Sequence, residues 1–189
     1  MTSDIRIETD RLILRAPCMD DFEACAAFLA TPRSKNIGAG NMNRLDAWRV
    51  FSRIAGMWFL RGYGLFVVED KATGKSLGAI GPWNPITWPE PELGWSIWDA
   101  EAEGKGIAFE AASAARDYAF NTLGWDTAVS YIDASNTRSI ALAERLGATL
   151  DPEAATPDFD DSDEPCLVYR HPKPTLKATY WITHNGKKV

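Results

Sequence analysis

The sequence is poor in the residues from which disulfide frameworks and metal sites are built. Only three of its 189 residues are cysteine and only two are histidine. Cys18, Cys25 and Cys166 form no CxxC pair, and an odd, scattered set is typical of reduced thiols in the cytoplasm. His171 and His184 both lie late in the chain, so a zinc site or a Ser-His-Asp triad would have few residues to draw on. We therefore expect a cytoplasmic protein with no metal ion.

Positive charge and long apolar runs are also scarce. The formal net charge is −6, whereas proteins that grip nucleic acid usually display a concentrated basic surface. Residues 1–15 carry charges throughout and lack the apolar core of a signal peptide. No apolar segment approaches the roughly 20 residues that a membrane-spanning helix needs. These features predict a soluble protein that binds neither nucleic acid nor membrane.

The remaining composition is typical of one globular domain. With 46% hydrophobic and 24% charged residues, a chain of this length can bury a sizeable core. We assign a single domain to residues 1–172. Residues 173–189 form a tail that is either an added strand or disordered.

Apolar periodicity and turn residues predict an alternation of strands and helices. The predicted strands are 11–15, 65–69, 77–81, 92–98, 127–132 and 166–170, and the predicted helices are 20–30, 44–60, 105–121 and 137–146. Four prolines between 82 and 91 predict a loop there, because proline removes a donor from a strand ladder. The acidic segment 151–164 is predicted to be a mobile loop.

A short glycine turn, Gly104-Lys105-Gly106, separates a predicted strand from a predicted helix. The free N–H groups and the dipole of a helix start can bind a pyrophosphate, and glycine allows phosphate oxygens to approach the backbone. Lys105 would add charge at the rim. By itself such a glycine pair is more often a plain turn. The segment through Ile107 and Ala108 has no nucleoside-triphosphate loop pattern and lacks the third glycine of a dinucleotide fingerprint.

Several short segments occur together in the order found in one known family. They are residues 8–15, 78–84, 92–95, 104–111, 136–148 and 169–172. Across residues 7–171 the sequence resembles the GNAT superfamily of N-acetyltransferases, in particular the branch of ribosomal protein N-terminal alanine acetyltransferases. The resemblance implies a single-domain α/β (α+β) fold. Its central sheet would be mixed, mostly antiparallel, with about six to seven strands, flanking helices and splayed central strands.

The resemblance also implies a cofactor site for acetyl-CoA or coenzyme A, used as a co-substrate. The pyrophosphate loop would comprise Glu103, Gly104, Lys105, Gly106, Ile107 and Ala108. The family ordinarily has Arg or Gln where this chain has Glu103. Backbone amides near Ile97 and Trp98 would polarise the thioester carbonyl. Asn136 would contact the pantetheine arm and Ser139 would lie near the thiol, although helix capping is a competing role for both residues.

The resemblance implies that Glu92 is the candidate catalytic base, because the family often has glutamate on this strand. A base is needed since an ammonium group must lose a proton before it can attack. A carboxyl group in a partly closed cleft can have a raised pKa, but a solvated glutamate at a strand end is an equal alternative. The candidate substrate-binding residues are Trp83, Asn84 and Trp95, next to the proline-rich loop. Ser139 is the second candidate catalytic residue, as a donor to the departing thiolate.

These features predict transfer of an acetyl group from acetyl-CoA to a primary amine by direct attack in a ternary complex. The amine acceptor would be a protein N-terminus or a small molecule, and the sequence leaves open whether the chain forms a homodimer. One alternative is a non-catalytic acyl-CoA-binding or regulatory module. Another is a phosphate or nucleotide binder without thioester chemistry.

Overall fold

The chain folds around one open β-sheet with helices on both faces. The computed structural model describes residues 5–38, 40–157, 165–175, 181–184 and 187–188. The helices are Phe22–Leu29 (α1), Arg44–Arg61 (α2), Ile107–Asn121 (α3) and Thr137–Arg145 (α4). The strands are Arg6–Glu8 (β1), Leu12–Arg15 (β2), Phe66–Asp70 (β3), Ser76–Trp83 (β4), Glu92–Ile97 (β5), Val129–Asp133 (β6), Thr149–Leu150 (β7), Cys166–Arg170 (β8), Trp181–His184 (β9) and Lys187–Lys188 (β10).

The sheet order is β10-β9-β1-β2-β3-β4-β5-β6-β8-β7. Every neighbouring pair is antiparallel except β5 and β6, which run parallel. The predicted mixed, mostly antiparallel α/β fold is therefore confirmed. The described sheet has more strands than the six to seven predicted. The additional strands β1, β7, β9 and β10 have only two to four residues each. Such short strands carry too little periodicity to be recognised in the sequence.

Two predicted boundaries were wrong for local reasons. Pro82 was placed in a loop, but it lies within β4 and pairs with Leu93. The last β3–β4 pair is Phe66 with Ile80, so one edge of β4 has no paired neighbour at Pro82 and tolerates the missing donor. Helix α3 begins at Ile107 rather than at 105, because residue 106 has a left-handed φ of 78° that ends the preceding turn.

Two other predicted segments are only partly described. Residues 158–164 of the predicted mobile loop and residues 176–180 of the predicted tail lie outside the described ranges. Within the tail, strand β9 pairs with β1 through Ile182 and Ile7. None of the described helices combines the length and apolar character that crossing a membrane requires.

Small residues on α3 bring that helix close to the centre of the sheet. Ala111, Ala115 and Ala119 are fully buried, and together they form a flat face with no long side chain to hold the backbone away. Tyr118 fills the remaining space, edge to face with Phe66 at 5.3 Å between ring centroids. On the opposite face, α1 and α2 pack aromatic residues against β3 and β4. The sheet is therefore packed on both faces, which fixes the positions of its central strands.

A buried ion pair ties the first strands of the sheet to the entry of α1. Both carboxylate oxygens of Asp21 accept hydrogen bonds from Arg15, each at 2.9 Å. Asp21 also accepts from Ser76 Oγ at 2.6 Å and from the Cys18 amide at 2.7 Å. Burial opposes the charge on Asp21, but these donors prevail and hold the pKa of that carboxyl below its ordinary value.

Replacing Asp21 with alanine should lower the free energy of unfolding by about 3–5 kcal/mol, since the Arg15 charge loses its main partner in a buried setting. Urea unfolding followed by circular dichroism would measure the loss. The neighbouring exposed Asp20→Ala variant is the matched control and should change stability by less than about 0.5 kcal/mol. A loss below about 1 kcal/mol for Asp21→Ala would contradict a structural role for this pair.

Candidate active site

The central strands β5 and β6 meet at one point and then separate. Glu92 of β5 pairs with Val129 of β6, and the Val129 amide donates to the Pro91 carbonyl at 3.0 Å. Beyond that pair, within the residues that the structure describes, no further β5–β6 register is formed. A cleft of about 960 Å³ lies along the separated strands and is bordered by the start of α4. The splayed central strands predicted from the sequence are thus present.

Glu92 lies at the narrow end of this cleft. Trp88 Nε1 donates a hydrogen bond to Glu92 Oε2 at 2.6 Å. Although the residue keeps some exposed surface, its carboxyl group is enclosed by protein, and this burial raises the pKa of Glu92 to about 7. The Trp88 bond acts in the opposite direction by stabilising the charged form. A carboxylate with this pKa can accept a proton near neutral pH, as a general base must.

Aromatic side chains form the wall around Glu92. Trp83, Trp88 and Tyr131 all line the cleft. The rings of Trp88 and Tyr131 meet edge to face at 6.4 Å, and Tyr131 Oη accepts from the Glu90 amide at 3.2 Å. The sequence prediction did not include Tyr131, because nothing in its local pattern distinguishes it from any other strand tyrosine.

The other two predicted substrate residues lie in different places. Asn84 follows Trp83 in the chain, and the described cleft wall does not include it. Trp95 lies on the cleft wall, where its Nε1 donates to Ser139 Oγ at 3.1 Å. Trp95 therefore links β5 to the start of α4. Its indole nitrogen contacts Ser139, the residue predicted to lie near the thiol.

The two backbone amides nominated for carbonyl polarisation differ in availability. The Trp98 amide donates to the Leu77 carbonyl at 2.7 Å and is used within the sheet. Because successive strand residues direct their N–H groups to opposite edges, the Ile97 amide points away from β4 and towards the cleft. The geometry thus favours Ile97 over Trp98 as the donor to a bound carbonyl oxygen.

The start of α3 lies beyond the end of β5. Gly104 and Gly106 have φ values of 72° and 78°, in the left-handed region that glycine adopts without strain. A Cβ on Gly104 would meet no protein atom within 4 Å, so within the protein itself it is the backbone conformation that requires glycine here. The close approach of phosphate oxygens to this backbone stays a prediction.

No described side chain caps the first turn of α3, which contains Ile107 and Ala108. Its leading amides have no partner inside the helix. Lys105 is exposed, and its carbonyl accepts from Arg11 Nη1 at 3.0 Å. An uncapped helix start after two left-handed glycines fits a diphosphate group.

The side chains at the start of α4 have both capping and cleft positions. Asn136 Oδ1 accepts from the Ser139 amide at 3.2 Å, which is an N-cap contact. Both residues also line the cleft. The N-cap contact does not remove these two side chains from the cleft wall. Capping and contact with a ligand are therefore compatible for Asn136 and Ser139.

The sequence prediction missed two polar residues, Ser130 and His171. Ser130 connects β6 to β5, and His171 contacts Ser130. Ser130 Oγ donates to the Leu93 carbonyl at 2.6 Å and lies 2.8 Å from His171 Nε2. Since the serine has one proton, the histidine donates in the second contact. Burial, together with the charge of Arg116, lowers the pKa of His171 to about 3, so the ring is neutral. No local motif marks this pair, because its members are 41 residues apart.

Comparison with known proteins places the chain in a family. A sequence model of the acetyltransferase (GNAT) domain matches residues 11–149. The chain is 30% identical over 156 residues to the uncharacterized protein YkkB of Bacillus subtilis, covering 78% of this chain and 87% of that one. The chain belongs to the GNAT acetyltransferase family, whose members use acetyl-CoA.

Solved structures agree with this assignment. An acetyltransferase from Agrobacterium tumefaciens is 41% identical with a TM-score of 0.79, covering 89% of this chain and 94% of that one. The ribosomal α-N-protein acetyltransferase RimL is 16% identical with a TM-score of 0.69, covering 90% of this chain and 95% of that one. This second likeness shows the fold alone. The resemblance to the GNAT superfamily inferred from the sequence is confirmed.

Replacing Trp88 with phenylalanine should raise the pKa of Glu92 further above about 7, because an aromatic ring remains but the donor to the ionised carboxylate is lost. Titration of ¹³C-labelled glutamate carboxyls by NMR would measure this shift, with Glu92→Gln identifying the signal. Trp83→Phe is the matched control, since Trp83 lines the same cleft, and it should leave the value unchanged. An unchanged or lowered pKa in Trp88→Phe would contradict the assigned contact.

Proposed function

We propose that this protein transfers an acetyl group from acetyl-CoA to a primary amine that binds beside Glu92. The observation that carries the proposal is the order of three groups along β5 and just beyond its end. A carboxyl with a pKa of about 7 lies at the point where β5 and β6 part, the Ile97 amide faces the space between them, and the uncapped start of α3 lies beyond. These are the groups that a base, a carbonyl donor and a diphosphate site require.

The binding roles follow from the contacts of each segment. The first-turn amides of α3, following Gly104 and Gly106, would hold the diphosphate of acetyl-CoA. Asn136 lies further into the cleft, where its amide would meet the pantetheine arm. When bound, acetyl-CoA supplies the thioester carbonyl that a free amine attacks. No protein nucleophile is needed, so the proposed transfer proceeds in a ternary complex.

Glu92 and Ser139 would handle the two protons of this reaction. Glu92 takes a proton from the bound ammonium, which restores the nitrogen lone pair that forms the new N–C bond. The Ile97 N–H donates to the carbonyl oxygen as charge builds there. Ser139 accepts from Trp95, so its own hydroxyl proton can be donated to the sulfur as the C–S bond breaks. The adduct nitrogen still carries one proton more than the amide product, and this proton passes to the Ser139 oxygen, which restores the hydroxyl.

The acceptor side of the cleft suits a compact amine. Trp83, Trp88 and Tyr131 present aromatic surface next to the single Glu92 carboxyl, and aromatic faces attract an ammonium group. Either a protein N-terminus or a small-molecule amine meets these requirements. The acceptor therefore has to be found by offering a panel of amines with acetyl-CoA and following free-thiol release.

Glu92→Gln should reduce kcat about 10²–10⁴-fold with the best acceptor from that panel, because the amide cannot take a proton. Calorimetry with CoA should give an unchanged Kd, since the proposed contacts with CoA lie at the α3 start and at Asn136 and none of them uses Glu92. The exposed Glu153→Gln variant controls for loss of a surface charge and should retain full turnover. Undiminished turnover in Glu92→Gln would remove this residue from the mechanism.

Ser139→Ala should lower kcat roughly tenfold, the value of one hydrogen bond to the leaving group, with a smaller change in the Kd for CoA. Single-turnover measurements with saturating acetyl-CoA would isolate the chemical step. Ser135→Ala is the matched control because Ser135 also lines the cleft and is not assigned a proton. If both variants lose activity equally, the proton-donor role of Ser139 is wrong.

A further inference from the structure

A charged cluster of Arg33, Glu103 and Arg138 lies at the entrance to the α3 start. Arg33 Nε donates to Glu103 Oε1 at 2.9 Å, and Arg33 Nη2 contacts the same oxygen. Arg138 Nη1 donates to the other oxygen, Glu103 Oε2, at 2.5 Å. Residues from three separate parts of the chain thus converge on one carboxylate three positions before Gly106. We call this group the guanidinium cluster.

Arg33 also fixes the end of β5. Its Nη1 donates to the Trp98 carbonyl at 2.8 Å and its Nη2 to the Ile97 carbonyl at 2.9 Å. Four of the five N–H donors of this guanidinium are therefore engaged by the strand and by Glu103. The turn that carries Arg33, Pro32–Ile37, begins with proline at its first position. Arg33 is an anchor rather than a free binding group.

Arg138 has the complementary character. Its side chain is 84% exposed, against 32% for Glu103, and its contact with Glu103 uses one nitrogen. It lies in the first turn of α4, and this contact places it beside the residue that directly precedes Gly104. The remaining N–H donors of Arg138 have solvent access and suit a phosphate oxygen.

The charge of the cluster differs from that of Glu103 considered alone. An isolated carboxylate at this position would repel a diphosphate. Here two guanidinium groups surround one carboxylate, which leaves one net positive charge beside the helix start. The charge of this cluster is thus opposite in sign to the net charge of −6 that the whole protein carries.

Resting on the proposed function, we propose that Arg138 is a binding residue for the CoA diphosphate and that Glu103, held by Arg33, is the residue that positions it. The acidic residue in the loop thus strengthens diphosphate binding by fixing a guanidinium that would otherwise be mobile. Fixing a long side chain in advance removes part of the ordering cost of binding. The positive charge beside the glycine turn thus comes from the start of α4.

This proposal and simple charge repulsion predict opposite results for Glu103→Ala. Removing a negative charge beside a polyanion should tighten CoA binding if repulsion dominates. If Glu103 positions Arg138, the same change should weaken CoA binding by about five- to tenfold, despite the more positive loop. Arg138→Ala should weaken binding to a similar extent, and the double variant should be little worse than either single variant.

Isothermal titration calorimetry with CoA and with 3′-dephospho-CoA tests these outcomes, and circular dichroism confirms that each variant is folded. The loss in Arg138→Ala should persist with 3′-dephospho-CoA and shrink as salt is raised. Arg49→Ala, which removes another exposed arginine paired with an acidic residue, is the matched control and should bind CoA normally.

The possible failures are distinct. If the wild-type protein does not bind CoA, the proposed function itself is wrong. If it binds CoA and Glu103→Ala binds as tightly or more tightly, the positioning role of Glu103 is wrong. A loss in Arg138→Ala that disappears with 3′-dephospho-CoA overturns the assignment to the diphosphate.

Discussion

The parting of β5 and β6 after a single backbone pair is the constraint on which the rest of the structure depends. Separated strands leave polar backbone groups without a ladder partner, and such groups must be satisfied in another way. Ser130 bonds the Leu93 carbonyl, and Arg33 bonds the Ile97 carbonyl. The Ile97 amide remains directed into the gap. The features that keep the strands apart therefore also leave one donor available for a ligand.

The two ends of the cleft present opposite electrostatic environments. At the narrow end, enclosure by aromatic residues favours the neutral form of Glu92, and one hydrogen bond from Trp88 limits the shift. At the open end, the helix dipole of α3 and the guanidinium cluster favour negative charge. A proton acceptor and an anion site can coexist because the length of β5 separates them. The net negative charge of the chain determines neither environment. The protonation of Glu92 depends on its own burial and on Trp88, and the charge beside α3 depends on the guanidinium cluster.

Much of this arrangement could be predicted from the sequence where a local pattern sufficed. The apolar periodicity of residues 44–60 correctly predicted helix α2, and Asn136 was correctly predicted to cap α4. The turn at Gly104 was also found, and its left-handed φ explains the need for glycine there. Pro82 shows the limit of such rules, because its tolerance depends on where a neighbouring strand ends.

The sequence by itself determined the order of elements, the family and the positions of Glu92 and the glycine turn, because these depend on residues close together in the chain. Only the tertiary structure decided what surrounds them. Arg33 and Glu103 are 70 positions apart in the chain, and no sequence pattern indicates that their side chains meet. The raised pKa of Glu92 likewise arises from packing, since burial is a property of the folded chain and not of any one segment.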